Sequence, residues 1–190
     1  MNLQKLFDTQ KVLRDRIGYN GEDRFEKLIL ALLVELGELC QEWRGFKFWS
    51  KDQEPRKVIT VCSCCGNKLR DNDESCDSCE YVGAPNEPVK KYPLLEEYVD
   101  GLHFVLEIGL EIDFNIEFYV LDTQKYDDVI SQFVWINRTV TDFFMGKRVY
   151  DVLLDEYIGL GEMLGFTWEE IETAYFEKNK VNHKRQDSGY

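Results

Sequence analysis

Apolar residues recur along most of the chain at intervals of three and four positions, the spacing of amphipathic helices. The stretch 22–43 is apolar around nearly its whole circumference between Leu28 and Leu39, which predicts a helix at the centre of a bundle. A short β-prone piece at 114–120 is interpreted as a connector. The pattern predicts an all-α helical bundle with helices at residues 2–17, 22–43, 92–112, 122–144, 147–164 and 167–184, the last opened by a capping box of Thr167 and Glu170.

Two of these helices carry paired carboxylates inside otherwise apolar sequence. Glu35 and Glu38 are three positions apart in the central stretch, and Glu97 and Asp100 repeat that spacing in the stretch 92–112. Residues three apart share a helix face, so two such helices facing each other bring the carboxylates together. Burying like charges is unfavourable unless a cation compensates, and Mg²⁺ prefers oxygen ligands of this kind. The alternative interpretation is that both pairs lie on solvated faces, but the surrounding apolar residues leave little room for such faces.

A di-iron carboxylate bundle is a competing interpretation of the same pattern. It requires a Glu-x-x-His motif on each of two helices. His103 follows Asp100 by three positions, but no histidine follows the first pair, and the chain contains only two histidines. All-oxygen sites for Mg²⁺ or Mn²⁺ are therefore preferred. His103 is interpreted either as a hydrogen-bonded core histidine or, one turn beyond Asp100, as a substrate contact.

A local excess of positive charge lies towards the end of the chain. Lys178, Asn182 and Arg185 recur at i, i+4 and i+7, which places an ammonium, an amide and a guanidinium on one helical stripe. Such a stripe suits phosphate oxygens, although a basic helix end that complements the helix dipole is the alternative. Metal ions beside lysine and arginine are typical of phosphoanhydride hydrolysis, with metal-activated water as the nucleophile and a glutamate of the pairs as general base.

Five of the six cysteines crowd into 18 positions. Cys62-x-x-Cys65 and Cys76-x-x-Cys79 form two knuckles about ten residues apart, the spacing of a tetrahedral Cys₄ site for structural Zn²⁺. Disulfides and a redox CxxC motif are the alternatives, and the doubled motif favours zinc over both. Because composition changes around them, residues 57–89 are predicted to form a zinc-ribbon insertion in a catalytic domain of residues 1–56 and 90–190.

Composition limits the classes of partner. A hydrophobic fraction of 44% indicates a packed globular protein, and a formal net charge of -13 argues against a surface that binds nucleic acid. Neither an export signal nor a membrane-spanning run is indicated, so the sequence predicts a cytoplasmic protein without membrane contact.

Three segments together resemble a known family. ELGELCQEWRGFKFW at 35–49, EEYVDGLHF at 96–104 and KNKVNHKRQDSGY at 178–190 are similar to the dimeric all-α dUTPases, within the all-α nucleoside triphosphate (NTP) pyrophosphohydrolase superfamily. The resemblance covers about residues 1–50 and 90–190 and omits the zinc ribbon. It implies a helical bundle of the all-α NTP pyrophosphohydrolase type that forms a homodimer. It also implies Mg²⁺-dependent hydrolysis of dUTP to dUMP and pyrophosphate, with dUDP as a further candidate substrate.

The resemblance also implies roles for individual residues. Glu35, Glu38, Glu97 and Asp100 match the metal ligands, and Glu35 or Glu38 would position and deprotonate the attacking water. The nucleotide-binding positions are Gln10 at uracil, His103 near the deoxyribose, Lys47 and Trp49 in the loop near the nucleotide, and Lys178, Asn182 and Arg185 at the phosphates. The residue four after Gln10 is often Asn in relatives but is Arg14 here, a departure that bears on base specificity.

Two other functions remain open from the sequence. One is a related pyrophosphohydrolase acting on another nucleotide, such as dCTP or a damaged triphosphate. The other is a non-enzymatic helical module whose zinc ribbon docks a protein or nucleic acid. A Glu38→Gln variant separates the second from an enzyme, because only a metal site would lose hydrolysis.

Overall fold

The computed structural model describes residues 2–70, 76, 87–147 and 149–189. The chain divides into two compact units: a helical unit of Met1–Gln41 with Leu95–Tyr190, and a small unit of Glu42–Leu94. The described residues form an all-α architecture with one small two-stranded sheet, which confirms the predicted fold class. The helices are α1 (Leu3–Ile17), α2 (Arg24–Trp43), α3 (Pro93–Glu111), α4 (Val129–Phe144), α5 (Tyr150–Leu164) and α6 (Trp168–Asp187).

Local sequence signals explain several helix ends. Asn2 caps α1 by accepting a hydrogen bond from the Lys5 N–H, and Gly18 ends that helix with a φ of +64° that glycine adopts without strain. Pro93 occupies the first position of α3, where its missing N–H removes no helical bond. At α6 the predicted capping box is confirmed, because Thr167 and Glu170 each bond the other's backbone.

The predicted start of α4 at residue 122 is wrong by seven residues. Asp128 caps the helix at Ser131, and the segment before it bonds to α5 instead of extending α4. The Asp122 N–H donates to the Asp155 carboxylate over 3.0 Å, and the Gln124 N–H donates to the Asp155 carbonyl over 3.2 Å. The backbone N–H groups of Asp122 and Gln124 are therefore bonded to Asp155 and not within a helix, although the apolar spacing of this segment is helical. The β-prone piece at 114–120 is a connector as expected, and it contains a 3₁₀ turn at Ile116–Phe118.

Helix α3 is held tightly against α5 in the helical unit. The rings of Tyr98 and Tyr157 stack with centroids 5.0 Å apart, and each hydroxyl donates to the other residue's carbonyl, over 3.2 Å and 2.7 Å. Gly101 makes this approach possible, since a Cβ there would lie 2.2 Å from the Tyr157 hydroxyl. The contact fixes the segment of α3 that carries Glu97 and Asp100.

Elsewhere in the helical unit, α1 packs on α6 and α2 contacts α4. The ring of Phe25 on α2 lies 5.7 Å from Phe143 and 6.2 Å from Phe144 of α4. The core is aliphatic and aromatic, and its fully buried side chains include Leu6, Leu32, Leu36, Leu102, Leu106, Ile136, Leu153 and Tyr175. This core holds the polar side chains of α1, α2, α3 and α6 in place around one cavity.

The small unit contains an antiparallel pair of strands, β1 (Ile59–Cys62) and β2 (Pro88–Lys91), with Val61 opposite Val89. Cys62, Leu69 and Cys76 form its buried cluster. The loop after α2 is ordered by Arg44, which is buried and whose guanidinium bonds the carbonyl of Asp52 over 2.7 Å. The core of the described part of this unit is small, and a small core makes an additional cross-link valuable for stability.

Candidate active site

Three of the four predicted carboxylates meet in the helical unit. Glu35 of α2 and Glu97 and Asp100 of α3 each offer an oxygen, and these oxygens all lie within 4.8 Å of one another. Opposite ligands of an octahedral Mg²⁺ stand about 4.2 Å apart, since each metal–oxygen distance is about 2.1 Å. All three residues are half-buried. Glu38 is exposed and falls outside this group of three.

The clustered charge alters the acidity of the group. Burial, followed by the charges of Asp100 and Glu38, raises the pKa of Glu35 to about 7. Burial and the neighbouring acids likewise raise the pKa of Glu97 to about 7, and burial raises the pKa of Asp100 against the opposing effect of Lys178. Glu38 therefore contributes to the electrostatics of the group although it is not one of the three. The arrangement attracts a cation, because each ionised carboxylate destabilises the next.

A cavity of about 400 Å³ adjoins this group within the helical unit, a size typical of small-molecule sites. Seven of the residues predicted to bind metal or substrate line it: Gln10, Glu35, Asp100, His103, Lys178, Asn182 and Arg185. The side chain of Lys178 donates a hydrogen bond to Oδ2 of Asp100. The cavity thus joins an acidic end to a basic stripe, as a site for a metal-bound polyphosphate requires.

His103 is neutral and has one ring nitrogen without a partner. Its Nδ1 donates to the Val99 carbonyl over 2.8 Å, which leaves Nε2 as an acceptor, and Nε2 is buried without a hydrogen bond. Burial lowers the pKa of His103 to about 4, and its ring stacks on Tyr175 with centroids 4.2 Å apart. A cavity-lining acceptor of this kind suits a hydroxyl donor of a ligand.

Gln10 is buried in the cavity wall, and its amide is bonded at both ends. The Nε2 group donates to Oε2 of Glu107 over 2.9 Å, and Oε1 accepts from the Tyr175 hydroxyl over 2.8 Å. Glu107 in turn pairs with Arg24, at 2.7 Å, and with Arg14, at 3.6 Å. The side chain that the sequence assigns to the base is thus part of a buried polar network.

A family model described as dUTPase matches residues 2–61 and 84–190. The chain belongs to the dUTPase family. Membership supports dUTP diphosphatase activity, so the protein is a hydrolase of nucleotide metabolism. Enzymes of this family generally depend on a divalent metal ion, in agreement with the acidic group described above. No curated protein matched the chain significantly.

The dUTPase match omits residues 62–83, and the omitted segment contains most of the cysteines. Cys62, Cys65 and Cys76 bring their sulfur atoms within 4.8 Å of one another, which makes a cysteine metal site available. The sulfur atoms of Cys65 and Cys76 are 3.7 Å apart. Two thiolates on a tetrahedral zinc are about 3.8 Å apart, whereas a disulfide would require about 2.05 Å. The fourth predicted ligand, Cys79, lies outside the described residues.

Two further residues that the dUTPase resemblance assigned to the nucleotide, Lys47 and Trp49, belong to the small unit. Trp49 is exposed and contacts Phe46 and Phe48 edge to face, with centroids 5.7 Å and 5.0 Å away. Lys47 lies over the Phe46 ring at 5.7 Å. The loop is therefore an aromatic and basic cluster, and its contact with nucleotide stays a prediction.

Sequence reasoning missed Glu107 and Tyr175, which bond Gln10. It also missed Arg24, which bonds Glu107. Glu107 follows Asp100 by seven positions and His103 by four, so it shares their helix face. That spacing could have identified Glu107 as a residue of the site. The hydrogen bond between Glu107 and Gln10 could not have been predicted, because 97 positions separate the two residues.

Proposed function

We propose that the protein hydrolyses dUTP to dUMP and pyrophosphate in the cavity of the helical unit, with Mg²⁺ held by Glu35, Glu97 and Asp100. The observation that carries the proposal is one cavity lined by Glu35 and Asp100 of the acidic group and by the basic stripe, in a chain of the dUTPase family. Glu38 is assigned as an additional carboxylate of the site. dUDP, which shares the base and the phosphoanhydride, is a second candidate substrate.

The donor set fits a hard divalent ion. All of its atoms are carboxylate oxygens, within the spacing of one coordination sphere, and no histidine or cysteine belongs to this group. Such ligands suit Mg²⁺, with Mn²⁺ as the alternative, better than zinc or a di-iron centre, whose sites usually include histidine or cysteine. When bound, the ion would supply Lewis-acid polarisation and charge neutralisation for hydrolysis of a phosphoanhydride.

Glu38 is the residue we assign as general base, with Glu35 as the alternative. Glu38 is exposed, lies outside the group of three and acts on the pKa values of Glu35 and Glu97, so it stands beside the metal ligands without being needed among them. It would take a proton from the attacking water as the bond between the α- and β-phosphates breaks. Pyrophosphate leaves and dUMP remains.

The basic stripe is proposed to hold the phosphates. Lys178, Asn182 and Arg185 line the cavity from α6, one turn apart. Lys178 pairs with Asp100 in the protein alone, and metal binding at Asp100 would release its ammonium for a phosphate oxygen. Lys47 of the small unit is proposed to lie near the nucleotide, as the family resemblance implies.

The nucleoside is proposed to lie between Gln10 and His103. Uracil would bond the Gln10 amide, and the deoxyribose 3′-hydroxyl would donate to the unpartnered Nε2 of His103. A buried acceptor without a partner is costly, so a donor at this point stabilises the complex. Trp49 is proposed to contact the nucleotide through its ring.

Zinc is proposed as a structural ion in the small unit, bound by Cys62, Cys65, Cys76 and Cys79. The distance between the Cys65 and Cys76 sulfurs supports it, as does the turn in which the Gly66 N–H bonds the Cys62 carbonyl over 2.9 Å. Zinc would cross-link a segment with a core of three described residues. Reduced thiols require a reducing compartment, and we propose the cytoplasm.

A homodimer is proposed on the basis of exposed apolar side chains. Leu30 and Val34 lie one turn apart on α2, and Ile130 and Val134 repeat that spacing on α4; each is at least half exposed. An apolar helix stripe facing water is typical of an association surface.

Among the described residues, no helix is both long and apolar enough to cross a membrane.

The proposal is tested by Glu35→Gln and Asp100→Asn, each assayed for dUMP formation and, by calorimetry, for Mg²⁺ binding. Both variants should lose activity by orders of magnitude and bind Mg²⁺ more weakly, since each removes a ligand. Glu42→Gln is the matched control, because Glu42 lies on the same helix but pairs with Arg56 at 3.0 Å. Full activity in the first two variants would refute the assignment of the site.

A further inference from the structure

The amide of Gln10 has a single orientation in this structure, and Glu107 imposes it. A carboxylate has only acceptor oxygens, so it can bond the Nε2 group of Gln10 but not Oε1. The Nε2 group of Gln10 now donates to Oε2 of Glu107 over 2.9 Å. Turning the amide over would replace this donor with Oε1, so two acceptors would face each other at that distance. The Tyr175 hydroxyl could bond either amide atom, because a hydroxyl both donates and accepts. Glu107 is therefore the partner that decides the orientation.

Glu107 is itself held in place. Its Oε1 accepts from Arg24 over 2.7 Å, and Arg14 lies 3.6 Å from the same oxygen. The side chain is 9% exposed, so water competes little for its oxygens. Arg14 is occupied as well, since its guanidinium also bonds Glu111. Arg14, which stands where relatives often have Asn, thus helps to hold the Glu107 carboxylate beside Gln10.

The locked amide retains one N–H and one oxygen lone pair for a ligand in the cavity that Gln10 lines. Uracil presents a carbonyl acceptor beside the N3–H donor, which matches this pair. Cytosine in the same place presents an amino donor beside an N3 acceptor, so both contacts become repulsive. A free glutamine would turn over to accept cytosine, but an amide opposed by a carboxylate cannot do so without leaving two buried acceptors in contact.

We propose that Glu107 is a positioning residue that sets the preference for uracil over cytosine by locking the Gln10 amide. The inference rests on the proposed function, in which Gln10 contacts the base, and adds a residue and a mechanism of discrimination to it. Glu107 also lines the cavity, but both of its oxygens are bonded within the protein, Oε2 to Gln10 and Oε1 to Arg24. It acts through Gln10. A change at Glu107 should therefore alter the ratio of kcat/KM for dUTP to kcat/KM for dCTP more than it alters the hydrolysis of dUTP itself.

The test is the ratio of kcat/KM for dUTP to that for dCTP in the full-length protein with Mg²⁺. Glu107→Gln should lower this ratio about 10- to 100-fold, because a glutamine can bond either orientation of the Gln10 amide. Much of the change should come from a gain in dCTP hydrolysis. Glu111→Gln is the matched control: it removes a charge from the same arginine cluster, at 3.4 Å from Arg24, but bonds Arg14 rather than Gln10. Its ratio should equal that of the wild type.

A second variant covers the case in which Glu107→Gln does not fold. Glu107→Asp keeps the charge but shortens the reach to Gln10 by one methylene, so it should also lower the ratio. In a Gln10→Ala background neither change at Glu107 should alter the ratio, since the group that it orients is gone. An unchanged ratio in the folded Glu107 variants would overturn the proposal. Absence of dUTP hydrolysis in the wild type would instead refute the proposed function, so the two failures are distinguishable.

Discussion

Lys178 on α6 donates a hydrogen bond to Oδ2 of Asp100 on α3, joining the basic stripe to the acidic group within one cavity. The ammonium offsets part of the charge that a metal ion would otherwise neutralise. In the proposed reaction Lys178 exchanges this carboxylate for a phosphate oxygen. The pair is therefore the point at which metal binding and substrate binding are coupled.

Lys178→Ala tests this coupling. The variant should lose on the order of 10²-fold in kcat/KM for dUTP, because it removes a cationic donor to the phosphates. Mg²⁺ affinity without nucleotide should be retained or rise, since the competing ammonium is gone. Lys180→Ala is the control, as Lys180 is exposed on the same helix and does not line the cavity. Equal losses in the two variants would contradict a specific role for Lys178.

The raised pKa values of Glu35 and Glu97 predict a pH dependence of the metal-free protein. The pKa of each is about 7 in the fold and ordinarily 4.5. Between these values the folded state binds more protons than the unfolded chain, so the free energy of unfolding falls as the pH rises from about 4.5 to about 7 and then levels off. Mg²⁺ affinity should change in the opposite sense and increase as the pH rises through about 7, because the metal binds ionised carboxylates.

Thermal unfolding in chelator and calorimetric Mg²⁺ titrations, both across this pH range, measure the two trends. The double variant Glu35→Gln with Glu97→Gln is the reference, since it keeps every other titrating group. The difference between wild type and variant isolates the contribution of the pair. A difference that does not vary with pH would show that the two carboxylates titrate normally.

The small unit should bind one zinc ion per chain through thiolates. Cys65→Ser should lose the metal and destabilise the unit, because Cys65 lies 3.7 Å from Cys76 in the sulfur cluster. Cys64→Ser is the matched control, since Cys64 is exposed in the same turn and is not one of the clustered thiols. Zinc is measured by elemental analysis of purified protein. Equal zinc content in the two variants would contradict the assignment.

Gly101 should be intolerant of a side chain. Gly101→Ala places a Cβ 2.2 Å from the Tyr157 hydroxyl, which would force α3 and α5 apart and cost about 1–3 kcal/mol in the free energy of unfolding. At Gly37, by contrast, an added Cβ meets no atom within 4 Å, so Gly37→Ala should be neutral or stabilise α2 by up to about 1 kcal/mol. Chemical denaturation of both variants measures the difference. Equal stabilities would show that the α3–α5 contact is looser than described.

The helices and seven residues of the cavity lining could be predicted from the sequence. The helices and the acidic and basic positions follow local spacing rules, whereas Gln10 was assigned from the family resemblance alone. Carboxylates three apart on a helix share a face, and Glu35, Glu97 and Asp100 lie together in one group. Glu38 obeyed the same spacing yet is exposed and outside that group, because spacing fixes a helix face but not its rotation towards a partner.

Features that depend on distant residues could not be predicted in this way. The start of α4 is set by Asp155 on α5, more than 25 positions later in the chain, rather than by the apolar pattern around it. The orientation of Gln10 depends on Glu107, a single carboxylate whose partner lies on another helix. Such tertiary hydrogen bonds have no periodic signature in the sequence.

Product analysis of the wild-type protein is the decisive test of dUTP hydrolysis in a Mg²⁺-dependent site. Purified protein is incubated separately with dUTP, dTTP and dCTP in Mg²⁺, and the nucleotides are separated by chromatography. We expect equimolar dUMP and pyrophosphate from dUTP, much slower hydrolysis of dTTP and dCTP, loss of activity in chelator and recovery when Mg²⁺ is restored. No dUMP, similar rates for dUTP and dTTP, or hydrolysis indifferent to chelator would contradict it.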